Sequence, residues 1–346
     1  MLLNRLLLFI TGYFVGSLLM SMNLPIPFMM GGMITAIACK ACARKIPISW
    51  PRKWREYALT VAGYGIGANF TPEAWNNLFN QSLGVVEATG SILLASVICS
   101  YITAKVTHFD HKSCLMGMFP GGLTVMMLMA DEDKDVNPNV VAVMQVLRML
   151  MVVTAVPFLT IYLLHAKVVN SGLAASSSGG THWLIFIPLA ILGVFISKKL
   201  HFPTPTLLGP ILTTAIYAIY VGPVQPVPHM VMNPAQLCIG LYMGMQLDVE
   251  HLAETKITVP FIIVSTMIMI GVSVGMANVL SGRYGFSLIT AFLAMAPGGI
   301  AEMSLAGLSM GENVSVILTY QLVRMLTMNM LIPPTIKYVF REKQAA

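Results

Sequence analysis

The sequence predicts an all-α fold: a polytopic membrane helical bundle of two homologous repeats, with about 10–12 transmembrane segments and a Pro-Gly-Gly-broken helix in each repeat. Three observations predict it. Of 346 residues, 56% are apolar and 10% charged, against roughly 25% charge in soluble chains, so too few polar side chains remain to face water. The apolar residues gather in runs near the ~20 residues of a membrane helix, apolar on every side, whereas a barrel strand alternates over about ten residues. The third observation is an internal duplication, set out below.

The runs fall near 5–22, 27–44, 57–70, 83–105, 113–130 and 139–165, then near 182–198, 204–222, 234–248, 257–280, 286–309 and 313–340. Twelve is the upper count, because the run from Tyr57 to Phe70 is barely long enough to span and 113–130 carries Pro120, Gly121 and Gly122 in its middle. Arg5 before the first run gives it the look of a signal peptide, but no small-residue cleavage pattern follows, and the run has a counterpart at 182–198. It is expected to stay in the mature protein.

Basic residues in short loops mark the cytoplasmic side. Lys40, Arg44, Lys45, Arg52, Lys53 and Arg55 surround the loop after the second run, whereas Thr71 to Gln81 carries no lysine or arginine. The basic loop and the N-terminus are therefore expected in the cytoplasm. Lys198, Lys199, Arg283, Lys337, Arg341 and Lys343 leave the orientation of the second half open.

The duplication is read from motifs recurring in order. Met118-Phe-Pro-Gly-Gly122 matches Met295-Ala-Pro-Gly-Gly299, Gln145-Val-Leu-Arg148 matches Gln321-Leu-Val-Arg324, and Pro157 matches Pro333. Leu24-Pro-Ile-Pro27 with Gly31 matches Phe202-Pro-Thr-Pro205 with Gly209, and Gly63 and Gly67 match Gly240 and Gly244, all 176 to 178 residues apart. The first repeat is assigned to 1–166 and the second to 182–346, joined by a Gly/Ser-rich linker over 167–181. Six crossings per copy make the copies parallel; five plus a re-entrant segment invert them.

A break at Pro120-Gly121-Gly122 or Pro297-Gly298-Gly299 removes a backbone donor and admits unusual backbone angles. A helix starting after it presents N–H groups to an anion, and paired broken helices point to a transporter's site. Arg148 is the only charged residue between Asn139 and His165, and Arg324 the only one between Glu312 and Lys337. At mid-membrane a charge costs roughly 2.5–3.5 kcal/mol, so each arginine needs a partner, a cavity or a solute. Both an anion contact and a bond to the carbonyls of the broken helices satisfy it. Gln145 and Gln321, three residues earlier, share the arginine faces. Glu302 is the one carboxylate in the second broken segment and Val125 its uncharged counterpart, which suits a proton-coupling group or an arginine's partner.

Other features carry less chemistry. Glu87 sits near a helix end, and Cys39-Lys-Ala-Cys42 has redox or zinc spacing without a second pair. His108-Phe-Asp-His111 lies in a loop, Asp131 to Asp135 reads as a solvated loop, and the Gly-x-x-x-Gly pairs read as helix packing. No disulfide framework follows from Cys39, Cys42, Cys99, Cys114 and Cys238. No metal or catalytic cluster is legible, no cofactor is implied, and whether the protein is an enzyme is left open, with the residues against it.

The two Pro-Gly-Gly segments, each followed by Gln-x-x-Arg on a long apolar helix, resemble the bacterial AbrB-duplication integral membrane protein family, which also carries an ammonia monooxygenase label. Ala296-Pro-Gly-Gly-Ile-Ala-Glu-Met303 is close to that family's segment, and Thr124-Val125 in the first copy departs from it. The resemblance implies a multi-pass inner-membrane protein with two such repeats and a link to regulation of gene expression. The residues do not support the monooxygenase label. The expected function is a secondary transporter of a small anionic or polar solute, its substrate-binding residues Arg148, Arg324, Gln145, Gln321, Gly121, Gly122, Gly298, Gly299 and Glu302. The alternative is a membrane-embedded regulator or sensor acting through a partner. Expected partners are the lipid bilayer and a small-molecule solute, not nucleic acid; the sequence leaves a homo-oligomer open.

Overall fold

A computed structural model describes residues 2–42, 49–70, 81–107, 109–133, 135–168, 187–202, 204–222, 224–247 and 258–341. Several positions used above lie outside these residues: Arg44, Lys45, Thr71 to Asn80, His108, Lys134, 169–181 of the linker, His182, Pro203, His251 and Lys343. Fourteen α-helices and no strands occur among the described residues. In the first half they are α1 (Leu2–Ser21), α2 (Pro27–Cys42), α3 (Arg52–Gly67), α4 (Ser82–Thr107), α5 (His111–Met118), α6 (Leu123–Glu132) and α7 (Pro138–Tyr162). The second half holds α8 (Ile187–Lys199), α9 (Pro205–Tyr220), α10 (His229–Met245), α11 (Thr258–Tyr284), α12 (Leu288–Met295), α13 (Ile300–Ser309) and α14 (Val314–Arg341).

Among the described residues, four helices are long and apolar enough to cross a membrane: Leu3–Ser21, Ser82–Thr107, Pro138–Tyr162 and Thr258–Tyr284. On α1, Leu3, Leu6, Leu7, Ile10, Phe14 and Leu18 are all exposed. A contiguous apolar face of this kind is not stable against water but is what lipid requires. The chain is a multi-pass membrane protein.

Two helices begin earlier than hydropathy suggests. α3 starts at Arg52, five residues before Tyr57, and α10 at His229, before Pro234. Each follows a proline in extended conformation, Pro51 (φ −66°, ψ 131°) and Pro228 (φ −58°, ψ 145°), and a proline there sets the helix entry. The first turn of α3 is charged, with Arg52 paired to Glu56 at 3.0 Å, so an apolar count misses it.

The chain forms two compact units, and each draws on both halves of the sequence. Unit 1 comprises Met1–Asn80, Val153–Gln246 and Ile300–Leu318. Its helices approach so closely that glycine is required. A Cβ on Gly63 or Gly67 of α3 would meet the carbonyls of Leu207 and Ile211 on α9, and one on Gly240 or Gly244 of α10 would meet those of Met29 and Met33 on α2. Gly31 likewise rests on Gly16, and Gly209 on Gly193. Small residues that bring backbones together are the usual means of helix association in lipid.

Unit 2 comprises Gln81–Val152, Leu247–Gly299 and Thr319–Ala346. Here α4 lies along α11 and packs on α5, while α11 packs on α12. The segment α5–α6 goes out and returns. Lys112 at the start of α5 donates to Asp133, just past α6, at 3.0 Å and to Asp135 at 3.1 Å. The Asn137 N–H bonds Ser113 Oγ at 2.7 Å. At 1.5 Å per residue, one straight helix from 112 to 133 would hold these ends about 30 Å apart. Asp133 and Asp135 are therefore not merely a solvated acidic run.

Candidate functional site

The interruption between α5 and α6 has a physical cause. Pro120 supplies no N–H, the Gly121 N–H turns back to Phe119 O at 2.8 Å, and Gly122 caps α6 in extended conformation at φ −69°. Gly298 N likewise bonds Ala296 O at 2.7 Å between α12 and α13. The glycines do not take the unusual angles expected of them, for the left-handed glycines are Gly222, Gly285 and Gly311. A Cβ on Gly122 would make only ordinary contact at 3.5 Å. Neither steric need nor strain demands glycine there; its effect is to leave the turn open.

A helix ends with carbonyls that have no intrahelical partner, and in unit 2 Gln145, Arg148, Gln321 and Arg324 satisfy them. Gln145 Nε2 donates to Met116 O at 2.6 Å and Phe119 O at 2.9 Å, and Arg148 Nη1 donates to Met118 O at 2.8 Å. Gln321 Nε2 donates to Leu293 O at 2.8 Å and Ala296 O at 3.0 Å. Arg324 Nη1 reaches Met295 O at 3.0 Å and Ala296 O at 2.9 Å, and its Nη2 reaches Gly298 O at 2.9 Å. Each arginine also donates to the glutamine one turn before it. A cation at a helix C-terminus is favoured by the helix dipole as well as by these bonds.

Arg148 is 5% and Arg324 4% exposed. The two guanidiniums lie within Coulombic reach of each other. Among the described residues all their hydrogen-bond partners are neutral oxygens, and Arg148 Nε is buried without a hydrogen-bond partner. The arrangement thus holds two positive charges with no carboxylate on either among the described residues.

The helix starts after the breaks are already engaged. Gly122 N–H donates to Asn329 Oδ1 of α14 at 3.1 Å. Glu302 occupies the first turn of α13, where its carboxylate meets its own N–H. Glu302 belongs to unit 1, whereas Gln145, Arg148, Gln321, Arg324 and the four break glycines belong to unit 2. Asn329 was not legible as a site residue. Its one signal is a polar side chain, five residues after Arg324, where the first half has Val153.

Residues 28–340, from α2 through α14, match the family described as Transition state regulatory protein AbrB. The chain is 28% identical over 335 residues to "Uncharacterized protein YhjN" of Bacillus subtilis (strain 168), covering 88% of this chain and 86% of that protein. It is 24% identical over 322 residues to "Putative regulator AbrB" of Escherichia coli (strain K12), covering 92% of each. On a match that takes in both Pro-Gly-Gly turns and both arginines, this chain belongs to the AbrB family.

Proposed function

We propose that this protein is a secondary transporter of a small anionic or polar solute, set in the bacterial inner membrane with its N-terminus in the cytoplasm. One observation carries the reading: Arg148 and Arg324 are buried close to one another, and both find only neutral acceptors. Bonds to carbonyls offset part of the cost of burial, but they leave the mutual repulsion of two cations in a low-dielectric setting. An anionic group between them would relieve it. In this reading Gln145 and Gln321 hold the guanidiniums in place, and Gly121, Gly122, Gly298 and Gly299 leave the approach open.

The same reading treats 1–166 and 182–346 as two copies of one unit around the connection 167–181. In support, among the described residues seven helices in each half follow in the same order at nearly constant spacing, and the close glycine contacts fall on matched positions. The return of α5–α6 to the end it started from supports five crossings and one re-entrant segment in the first copy, and the duplication carries the same count to the second. An odd number inverts the second copy, the arrangement in which transporters gather a site from interrupted helices. A protein that sets an internal solute level also changes gene expression without touching DNA, so the regulatory names of the family and its relative fit a transporter.

Metabolite profiling of a deletion strain, followed by uptake into proteoliposomes, tests the proposal. A solute should accumulate in or vanish from the deletion strain, and reconstituted protein should carry it. Arg148→Lys and Arg324→Lys should insert normally and transport poorly, since lysine keeps the charge but lacks the planar fork. Full uptake by both variants would overturn the site.

A further inference from the structure

Glu302 stands out among the buried ionisable groups. Of the described carboxylates it is the one that is fully withdrawn from the surface, 8% exposed in α13. Glu87, the other carboxylate within an apolar helix, is half-exposed and paired with Arg283 at 2.5 Å. A carboxylate inside a membrane protein is costly unless it is paired or protonated. Glu302 has its own helix start and, within Coulombic reach, Arg55.

Arg55 belongs to α3, the helix packed on α13 within unit 1. The other ionisable groups of α3 do not compete for Glu302: Arg52 is paired with Glu56, the Tyr64 hydroxyl donates to Gln225 O at 2.7 Å, and Lys53 and Tyr57 are exposed. Arg55 itself lies over the ring of Tyr242, 4.9 Å from its centroid, and its Nε is buried with no hydrogen-bond partner among the described residues. A buried carboxyl and a buried guanidinium edge therefore sit near each other without a direct ion pair. A pair so placed admits two arrangements. With Glu302 protonated, Arg55 rests on Tyr242; with Glu302 ionised, the free Nε edge is drawn to it.

We propose that Glu302 is the proton-binding site that couples this protein to a proton gradient, with Arg55 as the group that responds to its charge. The coupling rests on the transporter reading; the proton site itself does not. The counterpart position holds Val125, so one proton is bound per chain rather than one per copy.

Infrared titration of the full-length protein in nanodiscs tests the site without any solute. A carboxylic-acid C=O band should appear as pH is lowered, be absent in Glu302→Gln, and persist in Glu87→Gln. Arg55→Gln should keep the band to higher pH, since loss of a nearby cation favours the neutral acid. Glu302→Asp keeps a carboxyl and should restore a band, which separates loss of the group from loss of fold. An unchanged band in Glu302→Gln, or one indifferent to Arg55→Gln, overturns the proton site while leaving the transporter reading standing. With the band assigned, pH-gradient-driven uptake should be lost in Glu302→Gln and retained in Glu87→Gln. Gradient-driven uptake unaffected by that substitution overturns the coupling, and absence of any carried solute overturns the transporter reading alone.

Discussion

Arg324 donates four hydrogen bonds, three of them to main-chain carbonyls at the end of α12, whereas Arg148 donates two, one of them to a carbonyl. Removing either side chain strands buried acceptors, at about 1–3 kcal/mol for each group left unsatisfied. Arg324→Ala should therefore lower thermal stability more than Arg148→Ala, as read from the melting of the purified variants. Asn329→Leu strips the acceptor from Gly122 N–H and should also destabilise, by about 1–3 kcal/mol, whereas Gly122→Ala should change stability by less than about 0.5 kcal/mol and impair transport. The arginines, the glutamines one turn before them and the breaks were legible because a charge in an apolar run has few explanations. Which acceptors they reach was not, because a guanidinium serves a carbonyl and an anion with the same donors. Arg55 was legible only as part of a basic loop; its approach to Glu302 comes from the packing of α3 on α13, which residue spacing cannot show.

At the scale of elements, apolar runs marked out the helices but not the contacts between them. Gly-x-x-x-Gly spacing pointed to close packing, and Gly63, Gly67, Gly240 and Gly244 do lie against facing carbonyls. Gly271 and Gly275 of α11, by contrast, have open space where a Cβ would stand. Gly63→Ala and Gly244→Ala should each cost about 1–3 kcal/mol by overpacking, while Gly271→Ala and Gly275→Ala should be neutral or stabilise α11 by up to about 1 kcal/mol. Thermal denaturation in detergent distinguishes the two sets, and equal losses in both would mean that the contacts carry little energy. The clamp on α5–α6 was missed because the acidic run and Lys112 lie on opposite sides of the break in sequence. Burial works against both charges, yet the hydrogen bonds between them prevail: Asp133 is held below its ordinary value near 3.8 and Lys112 above its ordinary value near 10.5. Stability from the lowered Asp133 is present above pH 3.8 and is lost as pH falls through the folded-state value; stability from the raised Lys112 is present below pH 10.5 and is lost as pH rises through its folded-state value. Lys112→Met should therefore cost about 0.5–1 kcal/mol at neutral pH, and the difference from the unaltered protein should vanish in strong acid.

For the whole molecule, the proposed five-crossing reading adds what the charge rule lacked. Charge alone oriented the first half and left the second open, because the side on which the second copy begins depends on whether 113–130 crosses. On that reading, with a cytoplasmic N-terminus, Lys198 and Lys199 after α8 and the C-terminal end of α14 join the basic loop inside. Among the described lysines and arginines, Lys167 and Arg283 then fall outside, with Arg148 and Arg324 inside the membrane. A parallel pair with six crossings each would instead put Lys198 and Lys199 outside, against the excess of cytoplasmic basic residues expected of short loops. The inverted arrangement therefore predicts opposite sidedness for matched loops. In a background lacking the five native cysteines, Asn23→Cys and Gln225→Cys should react from outside intact cells with a membrane-impermeant reagent, while Ser49→Cys and His201→Cys should react only after the membrane is opened. The two loops of the second copy decide it: labelling of His201→Cys from outside together with protection of Gln225→Cys would make the copies parallel, and would require α5–α6 to cross the membrane despite the bonds from Lys112 to Asp133 and Asp135.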